Sequence, residues 1–505
     1  MQDTLFVTTA QLCGGQVEER RGSDDRPIPG PGPVALMTGE RPRRVVVIGG
    51  GFAGTRIARR LERTLPDSWE IFLLSPSNVI TYSPLLPEVV GGALLPGHVA
   101  APTRLLIKRT RIRMVSVDRI DAGSRTVSYR GVVDGSLDCE HIVIAAGRAP
   151  LRDAVPGMAG HALPLKSLGD ALRLRNRVIR RLEEATLTEN PERRRALLSF
   201  VVIGGGFSGV ETAGEIHDLV MSARGLYRNL DPEQVRVVLV HSRERLLPEI
   251  HERLGAYAQR RLAALGVEIR LQRRAVSMNA EGVELDNGEY IAAQTLVSTV
   301  GTTTHPFIEH SDLPLLAGRI VTDGCMRVTG RPGVWAAGDC AWIPNAADQK
   351  ACPPTAQFAV RQADRLADNL RSEIEGKSAT PFHYRPIGQL AAIGHCNAVA
   401  QLGRLRLRGL PAWLLWRAIY VLKIPTWTAK VRVFLEWTWA MFFRRDLGYL
   451  DFGLSSADAT HGKPLLANAA ADEAFHDEAF QDETFQDETM DRDPISRFER
   501  EDATG

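Results

Sequence analysis

Cysteine is scarce in this sequence and is not arranged in pairs. Six cysteines occur among 505 residues, and no two of them form a Cys-x-x-Cys motif or another close pair. This argues against a disulfide framework, a zinc ribbon and a dithiol active site, because each of these needs cysteines at short spacing. We therefore expect no metal site and a reducing compartment.

The sequence also lacks a secretory signal and any nucleic-acid-binding motif, so no nucleic-acid partner is expected. Residues 1–40 contain no basic stretch followed by an apolar core, which such a signal requires. Residues 20–32 are instead rich in Gly, Pro and Arg, a composition that favours disorder. Met37 stands eight residues before the first predicted strand, and we hypothesise that it is the natural start.

The charge of the chain is unevenly distributed. Residues 471–505 hold thirteen Asp and Glu against three Arg, a net of −10, which leaves +12 for the remainder of a chain whose total is +2. Residues 472–491 repeat a five-residue unit that fits neither a helix nor a strand, which predicts a disordered, solvating tail. Tethering to a basic membrane face or to a partner is the alternative. The basic remainder suits an anionic surface such as lipid.

A glycine-rich turn occurs twice in the same sequence context. The β-branched run at residues 45–48 leads into Gly49-Gly-Gly51-Phe-Ala-Gly54, a helical stretch to about residue 65 and a strand at residues 70–74. The same order returns 155 residues later, with a strand at 199–203, a glycine turn at 204–209, a helix to about residue 220 and a strand at 235–240. Strand, glycine turn, helix and strand in this order open a doubly wound dinucleotide-binding unit.

Two such turns predict two bound dinucleotides. The first glycine of each motif makes the tight turn, the second lets the backbone approach a pyrophosphate, and the third lets the helix pack on the strand. The positive end of the helix dipole then faces the phosphates. One dinucleotide held permanently and one that exchanges would fit a flavin reduced by a nicotinamide cofactor.

Two later segments support FAD as the permanent dinucleotide. An apolar strand at residues 141–145 is followed by Ala146 and Gly147. This resembles the strand end that returns to the flavin in flavoproteins with two dinucleotide-binding domains. Another apolar strand ends in Gly338-Asp339, where the carboxylate is expected to hydrogen-bond the ribityl chain. Both turns follow strands at the carboxyl edge of the sheet, where ligands bind in such folds.

Between residues 43 and 447 the chain resembles the type II NADH dehydrogenases, the single-subunit, non-pumping NADH:quinone oxidoreductases. The most specific marker is the run Ala356-Gln357 to Gln362 after two prolines, which in that family opens a helix beside the flavin and lines the quinone site. The resemblance implies FAD, a nicotinamide cofactor and quinone as partners. It also implies that Glu211, after the second glycine turn, lies near nicotinamide and flavin, and that Tyr82-Ser-Pro-Leu-Leu-Pro87 packs near the flavin. Ordinary core or surface positions are the alternatives for these residues.

Two positions depart from the family pattern. An acidic residue normally ends the second strand of each unit and binds ribose hydroxyls. Ser75 stands there in the first unit, and His241 followed by Ser242 and Arg243 stands there in the second. Without a carboxylate a 2′-phosphate is not repelled, and Arg243 could attract it. NADH is expected, with NADPH or the use of both nucleotides as the alternative.

A tryptophan-rich basic segment follows the nucleotide-binding region. Five of the eight tryptophans lie at residues 413–439, and residues 402–445 carry nine Lys and Arg against one Glu. Two short helices are predicted at 412–422 and 429–443, each below the roughly 20 residues that cross a bilayer. Aromatic residues mixed with basic ones suit a helix pair lying on an anionic membrane. Packing on the body or in a homodimer interface is the alternative.

The predicted fold is α/β, with two Rossmann-like domains, a C-terminal membrane-facing helical segment and disordered termini. We expect a peripheral enzyme on the cytoplasmic face of the inner membrane that passes electrons from NAD(P)H through FAD to quinone. A sulfide:quinone-type or ferredoxin-type reductase and a low-turnover redox sensor remain as alternatives. The predicted domains are a disordered extension (1–40), FAD-binding parts (41–155 and 316–400), an NAD(P)H-binding domain (156–315), membrane-associating helices (401–450) and a disordered tail (451–505). The predicted site residues are Glu211, Gln357 and Gln362 for catalysis; Gly49, Gly51, Phe52, Ala53, Gly54, Ser75, Ala146, Gly147, Gly338, Asp339, Ala356 and Gln357 for FAD; and Gly204, Gly206, Phe207, Ser208, Gly209, Glu211, His241, Arg243 and Gly301 for NAD(P)H.

Overall fold

A computed structural model describes residues 43–449 of the chain. The predicted disordered extension, the hypothesised start at Met37 and the acidic repeat of the tail lie outside these residues.

The first glycine turn belongs to a five-stranded sheet in which all neighbouring strands are parallel. Val45, Val46 and Val47 at its centre have no exposed surface, as expected for a parallel sheet covered on both faces. The last strand in sequence comes from beyond the second sheet, so this unit is discontinuous along the chain. In spatial order its strands are Val334–Ala336, His141–Ile144, Arg43–Ile48, Trp69–Ser75 and Arg111–Met114.

The second glycine turn belongs to another five-stranded parallel sheet. Its central strands are apolar and buried on both faces, as in the first sheet. In spatial order its strands are Ala162–Pro164, Thr295–Ser298, Ser199–Ile203, Arg236–His241 and Glu268–Leu271.

Smaller sheets, mostly antiparallel, complete the strand structure of the described residues. Three-stranded sheets comprise Ser116–Asp121 with Thr126–Arg130 and Gly135–Asp138, Ala275–Asn279 with Gly282–Leu285 and Tyr290–Ala292, Leu315–Leu316 with Arg319–Val321 and Ala341–Trp342, and Gly388–Ala392 with Ala398–Leu402 and Leu405–Gly409. Two-stranded pairs join Val79–Thr81 to Ala100–Pro102 and Ala149–Pro150 to Thr302–Thr303.

Helices pack around the two parallel sheets, and the longest are Leu168–Leu187 with 20 residues and Ala356–Ile374 with 19. The α-helices are Phe52–Thr64, Leu86–Val90, Thr103–Leu106, Met158–His161, Leu168–Leu187, Pro191–Leu197, Phe207–Ser222, Glu252–Ala264, Pro306–Glu309, Ala356–Ile374, Leu410–Lys423 and Trp427–Phe442. Short 3₁₀ turns lie at Ser83–Leu85, Pro96–His98 and Pro232–Gln234.

The C-terminal segment forms the two predicted short helices. Leu410–Lys423 ends before Pro425, which lacks the N–H needed to continue a helix. Trp427–Phe442 is capped by the preceding Thr426, whose hydroxyl oxygen accepts a hydrogen bond from the N–H of Ala429 at 3.3 Å. Among the helices within residues 43–449, none is long and apolar enough to cross a lipid bilayer.

Candidate functional site

A cavity of about 1200 Å³ runs from the first glycine turn to the start of the second unit and the C-terminal helices. Its walls come from distant parts of the chain, which the two parallel sheets bring together. Of the predicted site residues, those on the cavity wall are Gly49, Gly51, Phe52, Ala53, Ser75, Ala146, Gly147, Phe207, Ser208, Glu211, Gly338, Asp339 and Ala356.

The first glycine turn is shaped so that its backbone can approach a phosphate. Gly49 has a φ of +105°, and a Cβ there would lie 2.4 Å from the carbonyl oxygen of Ala145. Gly51 faces open space, since no atom lies within 4 Å of a Cβ built on it. Gly54 lies off the cavity wall, where a Cβ would be 1.8 Å from the carbonyl oxygen of Gly49. It therefore serves helix packing, as the motif requires.

The helix that begins at Phe52 leaves its first N–H groups free for a ligand. No side chain caps its start and no acidic residue lies in its first turn. Unpaired N–H groups and the positive end of the dipole together favour a pyrophosphate. The cavity, the open Gly51 and this uncapped helix fit FAD.

The second glycine turn repeats the same geometry. Gly204 has a φ of +114°, and a Cβ on Gly209 would lie 1.7 Å from the carbonyl oxygen of Gly204. Gly206 faces open space like Gly51. The following helix again has neither a capping side chain nor an acidic residue in its first turn. Its first residues Phe207 and Ser208 line the cavity, so the second unit meets the first at this point.

The Gly338-Asp339 turn is held from behind by Gln362. The N–H of Gly338 donates to Oε1 of Gln362 at 2.9 Å, and the Gln362 side chain is almost fully buried. Asp339 lines the cavity with Lys166 and Arg148. Burial raises the pKa of Asp339 above its usual value, while the positive charges of Lys166 and Arg148 oppose the shift. The predicted catalytic residue Gln362 thus lies behind the cavity wall.

Gln357 also lies away from the cavity, whereas its neighbour Ala356 lines it. The Gln357 amide nitrogen donates to the carbonyl of Gly388 at 2.9 Å, and its Oε1 accepts from the Tyr384 hydroxyl at 3.4 Å. In this conformation Gln357 ties the helix Ala356–Ile374 to the strand Gly388–Ala392.

Glu211 is a buried carboxyl group on the cavity wall. Its Oε1 accepts a hydrogen bond from the N–H of Ala392 at 3.0 Å. Burial raises the pKa of Glu211 to about 8, the hydrogen bond from Ala392 lowers it, and the nearby carboxyl groups of Glu88 and Glu215 raise it. The side chain can therefore hold a proton near neutral pH at the place where both nucleotide units meet.

Further buried charged groups lie behind Glu211, and the sequence analysis did not identify them. Arg445 forms ion pairs with Glu215 and, at 3.2 Å, with Asp218. Burial raises the pKa of Glu215, whereas that of Asp218 is lowered by His217 and Arg445 although burial opposes the shift. These contacts attach the segment after the last helix to the helix of the second glycine turn. The one sequence signal for these groups was the presence of Glu215 and Asp218 among the apolar residues of the helix Phe207–Ser222.

Tyr420 is a cavity residue that the sequence did not indicate. It comes from the helix Leu410–Lys423 and packs edge-on against Tyr82, with ring centroids 6.1 Å apart. Tyr82 in turn packs edge-on against Phe52 at 5.7 Å. The segment that begins at Tyr82 borders the cavity, since Leu86 lines it while Leu85 belongs to the core.

The remaining predicted nicotinamide residues lie around the second glycine turn but not on the cavity wall. Nδ1 of His241 accepts from the N–H of Gly205 at 3.1 Å. Arg243 is exposed two residues later. Gly301 has a φ of +64° and lies against Leu151.

The described cysteines do not form a redox pair at the cavity. Cys139, Cys340 and Cys352 are buried, no cysteine lines the cavity, and the five cysteines within residues 43–449 are free thiols. Burial raises the pKa of both Cys340 and Cys352 to about 11. Such thiols are poor nucleophiles at neutral pH, which disfavours the dithiol alternative.

The five tryptophans of the C-terminal helices divide between two faces. Trp413, Trp416 and Trp437 are buried against the body, whereas Trp427 is 76% exposed and Trp439 is 62% exposed. Three of the five therefore pack on the body, which was the alternative for this segment, and two remain exposed. The exposed apolar side chains of this pair of helices are Leu410, Leu414, Leu422, Trp427, Val431, Phe434, Leu435, Trp439, Met441 and Phe442.

Comparison with known proteins identifies two family segments. Residues 43–363 match the family described as pyridine nucleotide-disulphide oxidoreductase, and residues 387–446 match the NDH2 C-terminal domain. The chain is 30% identical to the type II NADH:quinone oxidoreductase Ndh of Mycobacterium tuberculosis over 459 residues, covering 87% of this chain and 97% of that protein. It is 27% identical to the internal alternative NAD(P)H-ubiquinone oxidoreductase A1 of Solanum tuberosum, covering 82% of this chain and 89% of that one.

The fold agrees with a solved structure of the same group. NDH2 from Plasmodium falciparum in complex with NADH superposes with a TM-score of 0.76 at 17% identity, covering 81% of this chain and 100% of that one. The chain belongs to the type II NADH:quinone oxidoreductases, within the pyridine nucleotide-disulphide oxidoreductase family.

Proposed function

We propose that this chain oxidises a reduced nicotinamide nucleotide through FAD and passes the electrons to a quinone that enters from the membrane. The observation that carries the proposal is the single cavity on which Phe207 and Ser208 of the second glycine turn, Gly338 and Asp339 of the flavin turn, and Tyr420 of the C-terminal helices meet. FAD held at this cavity would supply the redox chemistry, namely hydride acceptance from the nicotinamide and delivery of two electrons to the quinone.

In the first half-reaction the protein holds the two dinucleotides and aligns them with each other. The second glycine turn presents free N–H groups to the nicotinamide nucleotide, and its helix starts at the cavity wall. Gly338, fixed by Gln362, and Asp339 hold the other dinucleotide in place. Such fixed geometry supplies most of what hydride transfer needs, because no side-chain nucleophile takes part.

In the second half-reaction the protein's part is to admit an apolar acceptor and to provide protons. Ala356, Leu390 and Tyr420 give the cavity an apolar wall on the side of the C-terminal helices. Conversion of a quinone to a quinol takes up two electrons and two protons. The hydride from the nicotinamide accounts for both electrons and one proton, so one further proton is needed. Glu211 is a carboxyl group on this cavity that holds a proton near neutral pH. We assign proton transfer to Glu211 and assign support of the flavin turn, rather than contact with quinone, to Gln362.

The membrane contact is proposed at the exposed face of the two C-terminal helices. Aromatic and aliphatic side chains are exposed there, and Lys423, Arg432 and Arg444 are exposed on the same helices or directly after them. Apolar insertion together with attraction to anionic lipid is the usual way in which such helices bind a membrane surface. We place this contact on the cytoplasmic face. Since every group named comes from one chain, the proposal does not require a homodimer.

The test separates the two half-reactions. Purified protein containing FAD is reduced anaerobically with a nicotinamide nucleotide, and the flavin absorbance is followed after a menaquinone or ubiquinone analogue is added. Rapid bleaching followed by rapid recovery is expected. Bleaching without recovery would support a redox sensor instead, and recovery with ferredoxin but not quinone would support the ferredoxin-type alternative.

A further inference from the structure

The second nucleotide unit lacks the carboxylate that normally distinguishes NADH from NADPH. In such units an acidic residue at the end of the second strand accepts hydrogen bonds from the ribose hydroxyls, whereas a nearby arginine accommodates a 2′-phosphate. Here the strand Arg236–His241 ends in a histidine. The ribose-binding carboxylate that would oppose a 2′-phosphate is therefore missing from this strand end.

The His241 ring is committed to the glycine turn. Its Nδ1 accepts a hydrogen bond from the N–H of Gly205 at 3.1 Å, and the ring lies so close that a Cβ on Gly205 would approach it to 2.6 Å. Because Nδ1 is an acceptor, the proton of the neutral ring is on Nε2. Nε2 is buried and has no hydrogen-bond partner within the described residues. The residue thus offers no acceptor to a ribose 2′-hydroxyl.

Backbone contacts bring two arginines to the same strand end. The N–H of Arg273 donates to the carbonyl of His241, and the N–H of Gln272 donates to the carbonyl of Arg243, both at 3.1 Å. The segment after the strand Glu268–Leu271 therefore lies beside the segment after His241. Arg243 is exposed and Arg273 is half-buried.

Neither arginine is neutralised in the described part of the chain. The guanidinium of Arg273 donates only to the carbonyl of Gln272, at 2.8 Å, and no carboxylate pairs with Arg243. Glu244 is the one acidic residue in residues 241–245 and 272–274, which also contain Arg245 and Arg274, so these two segments carry a net +3. An acceptor-only dianion matches this arrangement, since guanidinium groups bind phosphate through paired N–H donors.

We propose that Arg243 and Arg273 form a 2′-phosphate subsite and that the enzyme uses NADPH at least as efficiently as NADH. The inference rests on the proposed function, because it names the substrate of the same nicotinamide site. Its chemistry differs from that of the flavin and quinone sites, so it can fail while the proposed function stands.

The first experiment measures anaerobic flavin reduction, which does not involve quinone. The second-order rate constant with NADPH is expected to equal or exceed that with NADH. Arg243→Ala and Arg273→Ala should each lower the rate constant with NADPH about ten- to hundredfold. The rate constant with NADH should stay within about threefold of the wild-type value. Arg260→Ala, an exposed arginine on the helix Glu252–Ala264, is the matched control and should change neither. A wild-type preference for NADH, or equal losses for both nucleotides, would overturn the subsite.

The second experiment measures binding without turnover. Calorimetry compares adenosine 2′,5′-bisphosphate with 5′-AMP, and the bisphosphate is expected to bind wild type more tightly and to lose that advantage in Arg243→Ala. His241→Glu should restore a preference for 5′-AMP. If neither nicotinamide nucleotide reduces the flavin, the proposed function fails, and this binding comparison still decides the subsite. Equal binding of the two adenosine ligands to wild type would overturn it.

Discussion

Gln362 accepts a hydrogen bond from the backbone N–H of Gly338 across 2.9 Å, although 24 residues separate the two in sequence. Its side chain is almost fully buried. Gln362→Ala would leave this N–H without its partner, at a cost of about 1–3 kcal/mol. We expect the FAD dissociation constant to rise about ten- to hundredfold, measured by fluorescence of released FAD. Gln362→Glu keeps an acceptor at the same place and should lose much less FAD affinity. Equal FAD loss in both variants would contradict this role.

Gly206 and Gly209 of the second glycine turn should respond differently to an added methyl group. Gly206 faces open space, whereas a Cβ on Gly209 would lie 1.7 Å from the carbonyl oxygen of Gly204. Gly206→Ala should therefore keep its FAD and its melting temperature while KM for the nicotinamide nucleotide rises about tenfold, because the methyl group occupies space needed by the pyrophosphate. Gly209→Ala should lower the melting temperature by several degrees. Thermal unfolding and steady-state kinetics check both, and a stable Gly209→Ala variant would contradict the packing argument.

Glu211 should impose a pH dependence on quinone reduction. Burial raises its pKa to about 8, so the side chain can donate a proton below that pH and cannot above it. Flavin reoxidation by quinone should slow as pH rises through about 8, and Glu211→Gln should be slow without this decline. Flavin reduction by the nicotinamide nucleotide serves as the internal control. An unchanged pH profile in the variant would show that another group supplies the proton.

The same shift predicts an effect of Glu211 on stability. A carboxyl group whose pKa is raised on folding binds more protons in the folded than in the unfolded state between its ordinary pKa and about 8. Stability therefore falls as pH rises through that window. Glu211→Gln should flatten the fall, which denaturant unfolding at pH 5 and pH 8.5 would detect. If the stability of the wild type instead rose between pH 5 and pH 8.5 by more than that of the variant, the assignment would be wrong.

The two faces of the last helix should separate membrane binding from folding. Trp439 and Phe442 are 62% and 76% exposed, whereas Trp437 is buried and its indole N–H donates to Glu88 at 2.8 Å. Because burying an aromatic side chain contributes about 1.5–3 kcal/mol, Trp439→Ala and Phe442→Ala should each weaken binding to anionic vesicles about tenfold without altering the melting temperature. Trp437→Ala should lower the melting temperature instead. Unchanged vesicle binding in the Trp439→Ala, Phe442→Ala double variant would exclude this face.

Local sequence patterns predicted the nucleotide units well because their signals are short-range. The strand at residues 199–203 was predicted with the bounds observed, and both glycine-turn helices end within two residues of the predicted positions. A tight turn, an apolar strand and an uncapped helix start are specified by neighbouring residues.

Side-chain direction was predicted less well, since it depends on helix phase and distant contacts. Gln357 and Gln362 are five positions apart, about 140° around a helix, so they cannot both face the cavity. Trp437 and Trp439 are likewise separated by about 200°, and one is buried while the other is exposed. Tyr420 reaches the cavity through folding of residues far apart in sequence, which no local pattern records.

The helix Leu410–Lys423 contributes Tyr420 to the cavity while exposing Leu414 and Leu422 on its other side. Under the proposed membrane contact, the same helix would touch lipid and form part of the wall of the proposed flavin cavity. Removing the chain from Leu410 onward to obtain a water-soluble protein would therefore also remove Tyr420 from the cavity wall.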